Sequence, residues 1–139
     1  MKISLIGFAL YFLSAAMSLA SWQISCEGPE GQSLSFSESS ITGKPLLSFH
    51  STQMSLGLAG DQIAVWRSGI PLGFWVFGTE AQTPDAYRIR FFVPGLELGG
   101  GNLGDEKSFD ARVVVEKGED LASGAAIFRM SCTARAVAF

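Results

Sequence analysis

The feature that most constrains this chain is a period of two in its apolar residues, which recurs from residue 22 onward. Apolar and polar side chains alternate through short segments, and no stretch sustains the spacing of three to four residues that an amphipathic helix needs. Such alternation is typical of strands that bury one face. About eight strands are predicted, near residues 22–26, 33–37, 47–50, 63–66, 74–77, 87–93, 109–116 and 127–133.

Glycine, proline, aspartate and serine separate these segments, as in Gly28-Pro29 and Pro94-Gly95. Short strands with frequent turn residues predict an all-β fold, a single small antiparallel β-sandwich or barrel. One loop stands apart, because four of the nine residues from Leu96 to Gly104 are glycine. The Gly99–Gly104 loop is therefore either a connection between strands, which we favour, or a mobile binding loop.

The first twenty residues have the organisation of a signal peptide. Lys2 supplies the positive charge, Ile3–Leu13 is apolar, and Ser18-Leu19-Ala20 fits the small-x-small cleavage rule. Cleavage before Ser21 would leave residues 21–139 as a single all-β domain. The protein is therefore expected to be secreted or periplasmic.

Two alternatives to cleavage are disfavoured. The uncharged stretch between Lys2 and Glu27 is long enough to span a bilayer, but serines and Gln23 dilute its second half. Lipid attachment at Cys26 would need an apolar residue where Gln23 stands. After leader cleavage we expect no integral membrane insertion, because most of the strands are shorter than the nine to eleven residues that a spanning strand needs.

The two cysteines, Cys26 and Cys132, lie near opposite ends of the mature chain. In an exported protein such a pair predicts one disulfide bond, which would join the first strand to the last. Closing a loop of about 100 residues stabilises the fold by about 4–5 kcal/mol in the loop-entropy description. Two cysteines and the lone His50 make no zinc signature, so no metal site is expected.

Charge and composition exclude further classes. Removing Lys2 with the leader leaves nine basic and thirteen acidic residues, a net charge of −4 on 119 residues. This acidic balance argues against a nucleic-acid binder, and a hydrophobic content of 47% argues against a disordered chain. No cofactor is expected, because Asp105-Glu106 follows the glycine-rich loop and would repel a phosphate group.

Catalytic patterns are weak in this sequence. There is no Gly-x-Ser-x-Gly motif, and His50 is expected to be a solvent-facing strand residue. Acidic residues that could pair for hydrolysis fall mostly in turns and loops, where solvated acids are common. They are Asp61, Glu80, Asp85, Glu97, Asp105, Glu106 and Asp110. We therefore favour a protein that is not an enzyme and keep a hydrolase that uses loop carboxylates as a disfavoured alternative.

The middle of the chain offers a candidate binding surface. Trp66 and Trp75 alternate with valines that face the core, and Phe92 shares a strand face with Arg88 and Arg90. An arginine-aromatic face can hold a carboxylate, a glycan or a partner protein. The alternative is that this face is covered and structural.

The leading hypothesis is an exported, non-catalytic binding domain whose partner is a protein or a cell-envelope component, as in inhibitor-like modules. That outline is shared by many small exported β-domains, so the analogy stays at the level of the fold. The alternative is a structural subunit that assembles by edge-strand pairing through the tail Thr133–Phe139. The oligomeric state is left open.

Overall fold

The computed structural model describes residues 21–38, 44–81, 86–95, 104–118 and 125–137. The predicted signal peptide and most of the Gly99–Gly104 loop lie outside the described residues. Within them the fold is almost wholly antiparallel β-structure, which confirms the all-β prediction. The strands are β1 (Ser21–Glu27), β2 (Ser33–Glu38), β3 (Pro45–His50), β4 (Ser55–Ala59), β5 (Ile63–Gly69), β6 (Leu72–Thr79), β7 (Tyr87–Pro94), β8 (Glu106–Lys117) and β9 (Ala126–Val137).

The nine strands form one sheet in the order β4-β3-β2-β1-β9-β8-β7-β6-β5. Strands β1 to β4 form one half of the sheet and β5 to β9 the other, and within each half strands that follow one another in sequence are neighbours. The pairing of β1 with β9 joins the two halves. The sheet curls into a nearly closed barrel. Of the two architectures predicted from the sequence, the barrel is therefore the closer description.

The barrel closes through a bend in the chain. Every neighbouring pair is antiparallel, and β4 and β5 are the first and last of nine strands, so these two strands run in the same direction. The link between them is a three-residue 3-10 turn, Gly60–Gln62, which reaches about 14 Å at most and is shorter than β5. It cannot return the chain along a whole strand. The two strands therefore follow one another as the arms of one bent strand, and Gly60 takes the positive φ of 59° at the corner.

The core fills the inside of this barrel. Phe36 on β2 lies 6.1 Å from Phe91 on β7 and 6.4 Å from Phe74 on β6, measured between ring centroids. These strands are not neighbours in the sheet, so the contacts cross the interior. Phe49 on β3 and Phe128 on β9 meet in the same way, at 5.2 Å. Because apolar residues alternate along each strand, their side chains point to the inside of the barrel and form the core.

The predicted disulfide is present. Cys26 and Cys132 stand directly opposite each other in the β1–β9 pairing, and their Cα atoms are 4.0 Å apart. Both residues are buried among the core side chains. The bond therefore fixes the pairing of the first strand with the last.

Two features of the fold differ from the sequence expectations. Strand β4 was not predicted, although Leu56 and Leu58 alternate with exposed neighbours and are buried. The tail Thr133–Phe139 was expected to be available for pairing with a partner, but β9 is paired with β1 as far as Val137. Because β8 pairs with the other side of β9 as far as Arg135, edge pairing through the described part of this tail would have to displace β1 or β8. Residues 138–139 lie outside the description.

Candidate functional site

The candidate surface lies on the outside of the barrel, on β5, β6 and β7. The antiparallel register places Trp66 opposite Trp75, and Trp75 opposite Phe92. Inward positions on the same strands are taken by core residues such as Val76, so these three side chains face outward. Cross-strand register thus brings together three residues that are far apart in sequence.

A fourth ring, that of Phe77, completes the group. Its centroid lies 5.6 Å from Trp66 and 5.9 Å from Trp75, and Trp75 lies 5.1 Å from Phe92. We call the four side chains Trp66, Trp75, Phe77 and Phe92 the aromatic face. Trp66 is 64% exposed and Trp75 is 40% exposed. The rings pack mainly on one another, which leaves a large apolar surface in contact with water.

Gly73 supports one end of the aromatic face. A Cβ at this position would overlap the carbonyl oxygen of Val93 and the ring of Phe92, and the backbone φ is +151°. A residue without a side chain is therefore needed for the Phe92 ring to lie this close to the backbone of β6. The position of Phe92 depends on this glycine.

The hairpin between β5 and β6 extends the apolar surface. Its tip carries Ile70, which is 98% exposed, and Leu72, which is 45% exposed. Both lie a few residues beyond the Trp66–Trp75 pair. Ile70 therefore adds exposed apolar surface at the hairpin tip, whereas the alternation along β6 places Leu72 on the same strand face as the buried Phe74 and not on that of Trp75.

Arg88 and Arg90 lie beside the aromatic face on β7. Arg90 stands opposite Phe77, and Arg88 stands opposite Glu116 of β8. Arg90 Nη2 lies 3.2 Å from Glu116 Oε1, in an ion pair whose arginine is 48% exposed and whose glutamate is 9% exposed. The two arginines and Glu116, with Phe77, Thr79 and Val114, surround a depression of about 270 Å³ that we call the arginine hollow.

All five residues of the sequence-predicted site therefore meet on one surface, but their role in binding stays a prediction. Phe77 and Glu116 are among the members of the surface that the sequence analysis did not identify. The alternation that selected Trp75 also places Phe77 outward, so that signal was available. The burial of Glu116 could not be predicted from the sequence, because it depends on the pairing of β7 with β8.

A second feature lies at the bend between β4 and β5. An open cleft there is lined by Glu38, Lys44, Asp61 and apolar residues such as Val65. Glu38 Oε2 is buried and has no hydrogen-bond partner among the described residues. Burial raises the pKa of the Glu38 carboxyl, and the positive charge of Arg67 opposes this shift. Glu38 shares a strand face with Phe36, so its inward orientation could have been predicted.

Two of the residues considered for catalysis, His50 and Glu106, have ordinary polar partners. His50 is exposed, and its Nδ1 is hydrogen-bonded to the hydroxyl of Ser55 at 2.7 Å. Glu106 accepts a hydrogen bond from Arg135 Nη2 at 2.9 Å, on the outer surface. Within the described ranges no group of three or more histidine, cysteine or acidic residues could hold a metal ion. Asp85 and Glu97 lie outside those ranges.

The disulfide fits an oxidising compartment, because such bonds are rare where thiols are kept reduced. Among the residues described, no helix is both long enough and apolar enough to cross a membrane.

Comparisons with protein-family models, with curated proteins and with solved structures found no match to this chain.

Proposed function

We propose that this protein is an exported, non-catalytic β-barrel domain that binds a protein or another component of the cell envelope through its aromatic face. The observation that carries the proposal is the exposure of Trp66 and Trp75, which are 64% and 40% accessible although they stand opposite each other on neighbouring strands and both contact Phe77. Tryptophan and arginine are the residues that most often dominate the energetics of binding interfaces.

Export is part of the proposal. The leader-like residues 1–20 and the Cys26–Cys132 disulfide both support a secreted or periplasmic location. A barrel held together by a disulfide is also suited to such a location, because the core alone need not supply all of the stability.

The test compares variants in their ability to capture a partner from envelope extract. Trp66→Ser and Trp75→Ser remove the two most exposed rings of the aromatic face. Leu46→Ser is the matched control, because Leu46 is 56% exposed but lies on β3, outside both the aromatic face and the arginine hollow. We expect the same identified partner to be retained by the wild type and by the Leu46 variant.

Each tryptophan variant should retain that partner at least about 10-fold less well, as expected for the truncation of a central interface residue. Equal retention by all four proteins would contradict the proposal. Sedimentation of the same samples reports self-association through β4 or β5. A stable oligomer without an envelope partner would favour the structural alternative.

A further inference from the structure

The arginine hollow has the size of a side chain. Its volume is about 270 Å³, and it lies on the outer surface of β6, β7 and β8. Phe77 and Val114 provide apolar walls, while Arg88, Arg90 and Thr79 provide hydrogen-bond donors. A depression of this size fits one amino-acid side chain or one small acid better than a long polymer.

The hollow carries a surplus positive charge. Glu116 forms an ion pair with Arg90, and in the described part of the chain Arg88 has neither an ion pair nor a hydrogen bond. Two guanidinium groups therefore face one carboxylate. Because Arg90 remains 48% exposed, it keeps donors available to a ligand beside the one that Glu116 accepts. The charge favours an anion, on a protein that is acidic as a whole.

We infer that the arginine hollow receives the carboxylate of an aspartate or glutamate side chain from a protein segment that lies on the aromatic face. This inference rests on the proposed function, since it names the chemical class of the partner at the same surface. An arginine fork binds a planar carboxylate through two parallel hydrogen bonds. The apolar walls would contact the methylene groups of the acidic side chain.

The spacing of the two parts of the surface supports an extended segment. Phe77 belongs both to the aromatic face and to the wall of the hollow, and it is two residues from Trp75 along β6. Side chains two residues apart on a strand are separated by about 6.6 Å. An extended partner with an apolar residue at one position and an acidic residue two positions later would therefore contact Trp75 and reach the hollow together.

The experiment uses two capped tripeptides as probes, acetyl-Leu-Ser-Glu-amide and acetyl-Leu-Ser-Gln-amide, which differ only in the carboxylate. Each is titrated into the isotope-labelled exported protein while the side-chain N–H signals of Arg88 and the indole N–H signal of Trp75 are followed by NMR. The glutamate peptide should shift both signals and bind about 10-fold or more tightly than the glutamine peptide.

Two variants locate the effect. Arg88→Gln should abolish the preference for the glutamate peptide, and Arg129→Gln should preserve it, because Arg129 is an exposed arginine on β9 outside the hollow. Equal affinities for the two peptides, or a preference that survives Arg88→Gln, would overturn the inference. Glucuronate that bound the hollow as tightly as the glutamate peptide would also overturn it, in favour of an acidic sugar.

The outcomes separate this inference from the proposed function. If partner capture depends on Trp66 and Trp75 but the peptides show no carboxylate preference, the aromatic face binds and the hollow does not take an acid. If the glutamate peptide binds at Arg88 while capture is the same for all tryptophan variants, the hollow binds a carboxylate but the proposed function fails.

Discussion

Removal of the disulfide should cost this domain a large share of its stability. Cys26 and Cys132 are 106 residues apart in sequence, yet they are opposite each other on neighbouring strands. The loop-entropy relation gives about 5 kcal/mol for a loop of this length. That figure is an upper bound, because residual structure in the unfolded chain reduces the entropy that the bond removes. Small domains are stable by only about 5–15 kcal/mol in total.

The assay is urea unfolding of the wild type and of the Cys26→Ala, Cys132→Ala double variant. Tryptophan fluorescence follows the transition, because Trp22 is buried on β1 and becomes exposed on unfolding, whereas Trp66 and Trp75 are already exposed in the folded protein. We expect the double variant to lose about 3–5 kcal/mol. Its m-value should rise, since a chain without the cross-link exposes more surface on unfolding.

Reductant supplies the internal control. It should lower the stability of the wild type to that of the double variant and leave the double variant unchanged. A loss below about 1 kcal/mol would refute the loop-entropy reasoning. Intact-mass analysis of the unreduced exported protein should find a chain that starts at Ser21 and holds one disulfide. A lipid on Cys26 would contradict both the cleavage site and the bond.

Three further changes test the core and the cleft. Burial disfavours the ionised form of Glu38, so its contribution to stability is greatest below its ordinary pKa of 4.5 and declines as the pH rises through the raised folded-state pKa. Glu38→Gln should therefore become more stable relative to the wild type as the pH rises above about 4.5 in thermal unfolding, and a difference independent of pH would contradict this. Gly78→Val should cost about 1–3 kcal/mol, because its side chain would press on core leucines, whereas Gly57→Val, which meets open space, should cost under about 0.5 kcal/mol. Phe91→Ala should lower the free energy of unfolding by about 3–5 kcal/mol, because Phe91 is fully buried. Phe92→Ala, on the outer face of the same strand, should cost less stability but should weaken partner capture. Equal losses of stability would show that the two faces of β7 are not distinct.

Much of the fold was available from local patterns. The segment Ser33–Ser37 alternates cleanly and became β2, and the positions of Cys26 and Cys132 predicted that the first and last strands are neighbours. Strand β4 was missed because it is short, contains Gly57 and is followed at once by the turn at Gly60. The bend itself was not predicted, because no local pattern reports that β4 and β5 run in the same direction at the two edges of one sheet.

The same division holds for the candidate site. Alternation within each strand was enough to place Trp66, Trp75 and Phe92 on the outer side. It could not show that they stand in one cross-strand row, because the row depends on the registers of two hairpins. The ion pair of Arg90 with the buried Glu116 depends on a third pairing, that of β7 with β8. The arrangement of the site therefore depends on the pairing between strands, which alternation within a single strand does not predict.

The central claim, that the aromatic face is a binding surface, is tested most directly by hydroxyl-radical footprinting with mass spectrometry. Oxidation of Trp66, Trp75 and the buried Trp22 is measured in the free protein and in its complex with the captured envelope partner. In the free protein the two exposed tryptophans should oxidise much faster than Trp22, which is 3% exposed. In the complex, the account predicts protection of Trp66 and Trp75, with Trp22 unchanged. Equal oxidation of Trp66 and Trp75 in the free and bound protein would contradict it.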